Sequence, residues 1–179
     1  MRVIPTEIPD VRIVEPRVFG DDRGFFFESW NARTLAERGI DATFVQDNHS
    51  RSRRGVLRGL HYQIEHAQGK LVRVVEGEVF DVAVDLRRSS PTFGKHVALR
   101  LSASNKLMLW VPPGFAHGFV VVSESADFLY KTTDYWYPEH ERTLQWNDPA
   151  LRIRWPIEDP QLAAKDTQGS SLAQADCYP

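Results

Sequence analysis

Three stretches of this sequence carry side chains able to move protons, each set among apolar neighbours. In the segment Gly55–Gln63 an arginine and a histidine share one strand-like run, Val-Leu-Arg-Gly-Leu-His-Tyr-Gln. A histidine titrates near neutrality, so His61 suits a general base, and Arg58 suits an anion clamp beside it. Their separation of three residues would aim them at opposite faces of a regular strand. Gly59 between them offers a bulge or a close backbone approach that would bring them together. Taken alone, such a segment is more often a histidine at the core edge with an arginine on the surface.

The second stretch, Val111–Phe119, delivers His117 from a Pro-Pro-Gly turn into a run dense with Phe and Val. An imidazole there needs a hydrogen-bond partner, so it is either functional or tethered. Its Pro-x-Gly-x-x-His pattern looks like the second motif of the cupins. A metal cupin would start its first motif at His61, and the second histidine expected two residues on is Gln63. Two histidines fall short of the three matched ligands of a catalytic metal site, so no metal is expected. The third stretch is Phe128–Pro138. Alternation puts Phe128 and Tyr130 on one face, where a phenol aimed into a cavity can donate a proton. Aromatics in such a run also serve simply as core. Asp21–Ser29 reads as a turn followed by an aromatic strand with a solvated arginine, and Ala163–Gly169 as a polar loop.

The elements that must position these groups are short strands. Eleven glycines and eleven prolines are scattered as punctuation, at the spacing of an all-β sandwich or barrel. The clearest hairpin is Lys70–Leu86, turning at Glu76-Gly77, with Phe80, Val82, Val84 and Leu86 on one face and Asp81 and Asp85 on the other. Further strands are expected over Val11–Phe19, Thr43–Gln46, Val56–Tyr62, Phe93–Ser102, Lys106–Val111, Gly118–Val122 and Phe128–Thr133. Ser29 or Asn31 would cap one short helix through Leu35–Arg38 ending at Gly39, and a second helical turn is expected near Leu162–Ala164. Many short strands with scant helix favour a jelly-roll barrel, whose mouth can hold a ligand.

Composition bounds the rest. With 179 residues the chain suits one domain, 1–179. Lys and Arg number 22 against 24 Asp and Glu, a net charge of −2. That balance gives no bulk attraction to nucleic acid or anionic lipid, so neither is an expected partner. The single cysteine, Cys177, rules out an intrachain disulfide. The start lacks the apolar core of a signal peptide, and no run approaches a membrane span, so a cytoplasmic protein is expected.

In combination, several motifs in order resemble the dTDP-4-dehydrorhamnose 3,5-epimerase family. They are Asp-Asp-Arg-Gly-Phe-Phe-Phe-Glu (21–28), Val-Gln-Asp-Asn-His-Ser (45–50), Val-Leu-Arg-Gly-Leu-His-Tyr-Gln (56–63) and Gly-Glu-Val-Phe-Asp-Val-Ala-Val-Asp-Leu-Arg (77–87). Gly-Phe-Ala-His-Gly-Phe (114–119), Phe-Leu-Tyr-Lys-Thr-Thr (128–133) and Lys-Asp (165–166) follow. The resemblance spans about Arg12 to Asp176. It implies a dimeric, cofactor-free and metal-free cupin-type jelly roll. Such an enzyme converts dTDP-4-dehydro-6-deoxy-D-glucose to dTDP-4-dehydro-L-rhamnose, a step towards activated L-rhamnose for cell-surface polysaccharide.

A ketone at carbon 4 acidifies the protons on carbons 3 and 5. Inversion then needs a base, a group to hold the enolate, and an acid across the ring. By resemblance His61 is the base, Asp166 its carboxylate partner, Lys70 the cation near the carbon-4 oxygen, Tyr130 the proton donor and His117 a sugar contact. Substrate contacts carry over to Arg23, Phe26, Glu28, Gln46, Asp47, Asn48, Arg58, Glu141 and Lys165, with Arg23 and Glu28 completing the partner subunit's site. Trp136 stands where some relatives have a tyrosine; an indole can stack on a base but cannot act as an acid. The other readings are a mono-epimerase of a related dTDP-4-keto sugar, a non-catalytic cupin that binds a nucleotide sugar, and a metal cupin.

Overall fold

Alternation along the strands decides the architecture. A computed structural model describes residues Met1–Pro179. In chain order the strands are β1 (Arg2–Pro5), β2 (Arg12–Glu15), β3 (Phe19–Asp21), β4 (Gly24–Phe26), β5 (Gln46–Arg53), β6 (Leu57–Gln63) and β7 (Lys70–Glu76). They continue with β8 (Glu78–Asp85), β9 (His96–Ser102), β10 (Met108–Val111), β11 (Phe115–Val121), β12 (Ser125–Thr132) and β13 (Glu141–Thr143). A six-stranded sheet in the order β1-β2-β10-β7-β12-β5 faces a five-stranded sheet in the order β13-β6-β11-β8-β9. Every pairing within them is antiparallel. This is the jelly-roll sandwich the short-strand pattern pointed to.

The main core lies between the sheets, where Val72, Val74, Leu109, Ala126 and Phe128 meet Val79, Ala83, Val97, Phe115, Phe119 and Val121. Each of the Val, Leu and Phe side chains contributes roughly 1.5–3 kcal/mol when fully buried. Outer faces are covered too. Val82, Val84 and Leu86 of the β8 segment pack under Leu144, Leu151 and Ala175 of the C-terminal segment. On the other sheet, Leu71, Met108 and Trp110 pack under Leu35 and Ile40. Leu35 belongs to a one-turn helix, α1 (Ala32–Ala36), whose Asn31 side chain accepts the Thr34 amide at 3.0 Å, so Asn31 and not Ser29 is the cap. No helix is long and apolar enough to cross a membrane.

Several expected elements move. The strand placed over Thr43–Gln46 begins where that segment ends, at Gln46, because the polar run Gln46–Arg53 hydrogen-bonds to the β12 edge along its whole length. Val11–Phe19 breaks into β2 and β3 around Pro16, which cannot donate to a ladder. The helical turn expected near Leu162–Ala164 forms instead at Asp166–Gln168. β1 had no expected counterpart; it is a four-residue edge strand on β2.

Gly59 does produce an irregularity. Arg58 pairs with Phe119 and His61 with His117, so three steps on β6 match two on β11. Gly59 has φ +116°, and a Cβ there would lie 2.7 Å from Gly118 Cα and from the His117 carbonyl oxygen. Two glycines thus let the strands approach closely beside His61. Gly59→Ala should cost about 2–4 kcal/mol through overpacking and a disfavoured φ. Urea denaturation checks this; a loss within about 0.5 kcal/mol, the range of an ordinary surface substitution, would contradict the close approach.

Candidate active site

His61 sits at the inner end of the β6 bulge, and its Nε2 lies 2.5 Å from Asp166 Oδ1. Asp166 is 105 positions further along and only 2% exposed. The segment carrying it is pinned at both ends. Gln161 exchanges backbone hydrogen bonds with Gly55 and Leu57, and Ser170 donates to the Thr143 carbonyl. A carboxylate that accepts Nε2–H leaves Nδ1 as the basic nitrogen and stabilises the imidazolium once a proton arrives.

Lys70 opens β7 and its Nζ lies 3.3 Å from the His61 carbonyl oxygen. Burial pulls this ammonium down to about 8, while Glu141 and Asp81 act in the opposite direction. Tyr130 projects from β12 on the same inward face as Phe128, as alternation required. Burial raises its phenol above the ordinary value, Glu141 adds to the rise and Arg58 opposes it. It therefore stays protonated at neutral pH.

His117 finds the partner its apolar setting demanded. Its Nε2 lies 2.9 and 3.1 Å from the two oxygens of Asp81, itself fully buried on β8. His61 and His117 face each other across β6 and β11, yet each imidazole is engaged by its own aspartate. No three His, Cys, Asp or Glu side chains converge with metal-binding geometry.

These groups line one cleft of about 380 Å³, within the size range of small-molecule sites. His61, Lys70, Tyr130, Asp166, Arg58 and His117 all border it, as do Gln46, Asn48, Glu141 and Lys165. Arg58 Nε donates to Ser52 Oγ at 2.9 Å, which steadies the guanidinium and leaves its terminal nitrogens free of intramolecular bonds. Lys165 Nζ donates to Glu141 Oε1 at 2.9 Å, and Gln46 Nε2 to Asn48 Oδ1 at 3.0 Å.

Four of the residues singled out by resemblance lie elsewhere. Asp47 falls on the outward face of β5, between inward Gln46 and Asn48, and pairs with Lys131 at 2.9 Å. Arg23 is bound to Asp21 on the β3–β4 hairpin, where Phe26 is 68% exposed. Glu28, just past that hairpin, accepts from Asn31 at 3.0 Å. Conversely, Gln68 and Phe119 border the cleft without having been singled out, and Asp81 underlies it. Asp81 was signalled only by its place opposite the apolar face of β8. Gln68, in a polar loop, gave no signal.

The family model for dTDP-4-dehydrorhamnose 3,5-epimerase matches residues 5–174. The chain belongs to this family. It is 67% identical over 181 residues to the dTDP-4-dehydrorhamnose 3,5-epimerase of Pseudomonas aeruginosa, covering 100% of both chains. It is 60% identical over 178 residues to that of Salmonella typhimurium, covering 98% of this chain and 97% of the relative. The crystal structure of the Legionella pneumophila dTDP-6-deoxy-D-glucose-3,5-epimerase, in complex with dTDP-4-keto-L-rhamnose, superposes with a TM-score of 0.95 at 54% identity. That match covers 98% of this chain and 94% of the other.

Within this cleft Lys70 carries a stability cost. Its value falls from 10.5 to about 8, roughly 3 kcal/mol against the buried charge. Between about pH 8 and 10.5 the unfolded chain binds more protons than the folded one, so this cost is full below 8 and fades as pH rises. Lys70→Met should therefore stabilise the protein at pH 7 by about 1–3 kcal/mol, with the gain over wild type shrinking by pH 10. Paired denaturation curves at the two pH values check this, and no gain at pH 7 contradicts it.

Proposed function

We propose that this protein inverts carbons 3 and 5 of dTDP-4-dehydro-6-deoxy-D-glucose, yielding dTDP-4-dehydro-L-rhamnose. One observation carries the chemistry: His61 stands on the five-stranded sheet and Tyr130 on the six-stranded sheet, bordering the same cleft. A sugar ring lying between the sheets meets a base on one face and an acid on the other. His61 removes the proton beside the ketone, and Asp166 holds the resulting imidazolium. Lys70, buried and cationic at neutral pH, lies where it can stabilise the enolate oxygen on carbon 4. Tyr130 then delivers a proton to the opposite face, its neutral phenol kept so by burial. His117, fixed by Asp81, contacts the sugar.

The diphosphate falls to Arg58 and Lys165, with Gln46, Asn48 and Glu141 bordering the nucleotide side. The single domain works as a homodimer in the cytoplasm. Phe25 and Phe26 are 63% and 68% exposed on the β3–β4 hairpin, which fits an arm that reaches the partner subunit and brings Arg23, Phe26 and Glu28 to its site.

Two measurements test this reading. In deuterated water, wild type should incorporate deuterium at carbons 3 and 5. His61→Ala should lose roughly 10²–10⁴ in rate with dTDP affinity little changed, and Tyr130→Phe should lose product formation more than proton removal. Turnover retained by His61→Ala, or no exchange by wild type, overturns the assignment. For the shared site, Arg23→Ala and His61→Ala subunits should each be inactive apart and, after mixing and exchange, recover about a quarter of wild-type activity through one intact site per mixed dimer. Mixtures that stay inactive would mean the arm serves its own subunit.

A further inference from the structure

Gln63 stands where a metal cupin would place its second histidine, two residues after His61 on β6. It is 3% exposed, and its side-chain amide is committed to the protein. Nε2 donates to the His66 carbonyl at 2.7 Å and to the Tyr135 carbonyl at 3.2 Å, and Oε1 accepts the Tyr137 amide at 2.8 Å. Both donors and one acceptor site are thereby used. The first bond reaches the loop between β6 and β7, residues 64–69. The other two grip the loop between β12 and β13 at the residues on either side of Trp136.

The two loops are also joined directly. Gln68 Nε2 donates to the Asp134 carbonyl at 2.9 Å, the Gly69 amide to Thr133 Oγ1 at 2.8 Å, and His66 stacks on Tyr137 with ring centroids 4.2 Å apart. These contacts lie at the ends of the loops or near solvent. Gln63 supplies the buried, three-point centre. The residues so held are the ones that wall the cleft: Gln68 from one loop and Trp136, 56% exposed at the rim, from the other. Trp136 is otherwise tied only through its amide to Gln46 Oε1, at 3.4 Å.

We infer that Gln63 is a positioning residue for ligand binding: its amide clamps the 64–69 and 133–140 loops together and sets Trp136 as a wall of the cleft. The inference rests on the proposed epimerase reading for the identity of the ligand, dTDP. Its structural half stands without it. Gln63 does not itself border the cleft, and its effect passes through Trp136.

Gln63→Met keeps the length of the side chain and removes all three bonds. In the ligand-free full chain, amide exchange at Tyr135 and Tyr137 should speed up about tenfold or more as local opening becomes easier, with β11 and β12 unchanged. The dissociation constant for dTDP should rise about tenfold while kcat stays within about twofold. In a Trp136→Ala background the same substitution should weaken dTDP no further. Equal losses of affinity in both backgrounds, a fall in kcat at unchanged affinity, or unchanged loop exchange would each overturn the inference. Should Gln63→Met not fold, Gln63→Glu, which turns a carboxylate towards two carbonyls, takes its place with the same readouts. A wild-type protein that fails to bind dTDP would sink the functional reading, and loop exchange would still judge the clamp.

Discussion

The hydrogen bond between His61 and Asp166 is the constraint the rest of the molecule serves. An imidazole on an inner strand becomes a directed base only if something holds its ring and stabilises the charge it gains. The carboxylate that does so comes from the C-terminal segment, which by its composition is a polar loop. That segment is held to the sheet at Gln161 and at Ser170, so Asp166 arrives buried and in register. The irregularity at Gly59 matters for the same reason, since it allows Arg58 and His61, three residues apart, to border one cleft.

A sandwich suits this chemistry because its interior has two walls. Inversion at carbon needs groups on both faces of a ring, and two facing sheets can carry one group on each wall. The cost is a core that is not fully apolar. Lys70, Asp81, His117 and Asp166 are all buried where aliphatic side chains would pack. Three of them are paired as imidazole and carboxylate, counting His61, which limits the penalty. Lys70 has no carboxylate within ion-pair distance, only a backbone carbonyl, and is accordingly the group most shifted towards its neutral form in the cleft. A cation held that way gives up folding stability to keep a charge inside the cleft.

The outer layers have a different task. The apolar outer faces of both sheets are roofed by α1 on one side and by the C-terminal segment on the other, which fixes the strands that carry His61, Lys70 and Tyr130. Where the roof stops, at the 64–69 and 133–140 loops, the cleft opens, and the buried amide of Gln63 ties the two loops together. Strands thus carry the titratable side chains of the cleft, and the two joined loops shape its rim.

Much of this was legible in the residues. The β-branched run of β7 and the alternation along β8 identified strands, and alternation along β12 put Phe128 with Tyr130. Gly59 announced a bulge, His117 demanded a partner, and the motifs named the family. Other features left no local trace. β5 is polar on both faces, since Gln46, Asn48, Ser50 and Ser52 turn to the interior while Asp47, His49, Arg51 and Arg53 turn to solvent, so it shows no hydrophobic period. Local sequence determines which segments extend, where they turn and which residues can exchange a proton near neutral pH, because those properties reside in a few neighbouring side chains. Only the tertiary structure decides that Asp166 meets His61, that Asp81 meets His117, and that Lys70 is dry, because these pairings depend on long-range strand order and on water being excluded between two sheets.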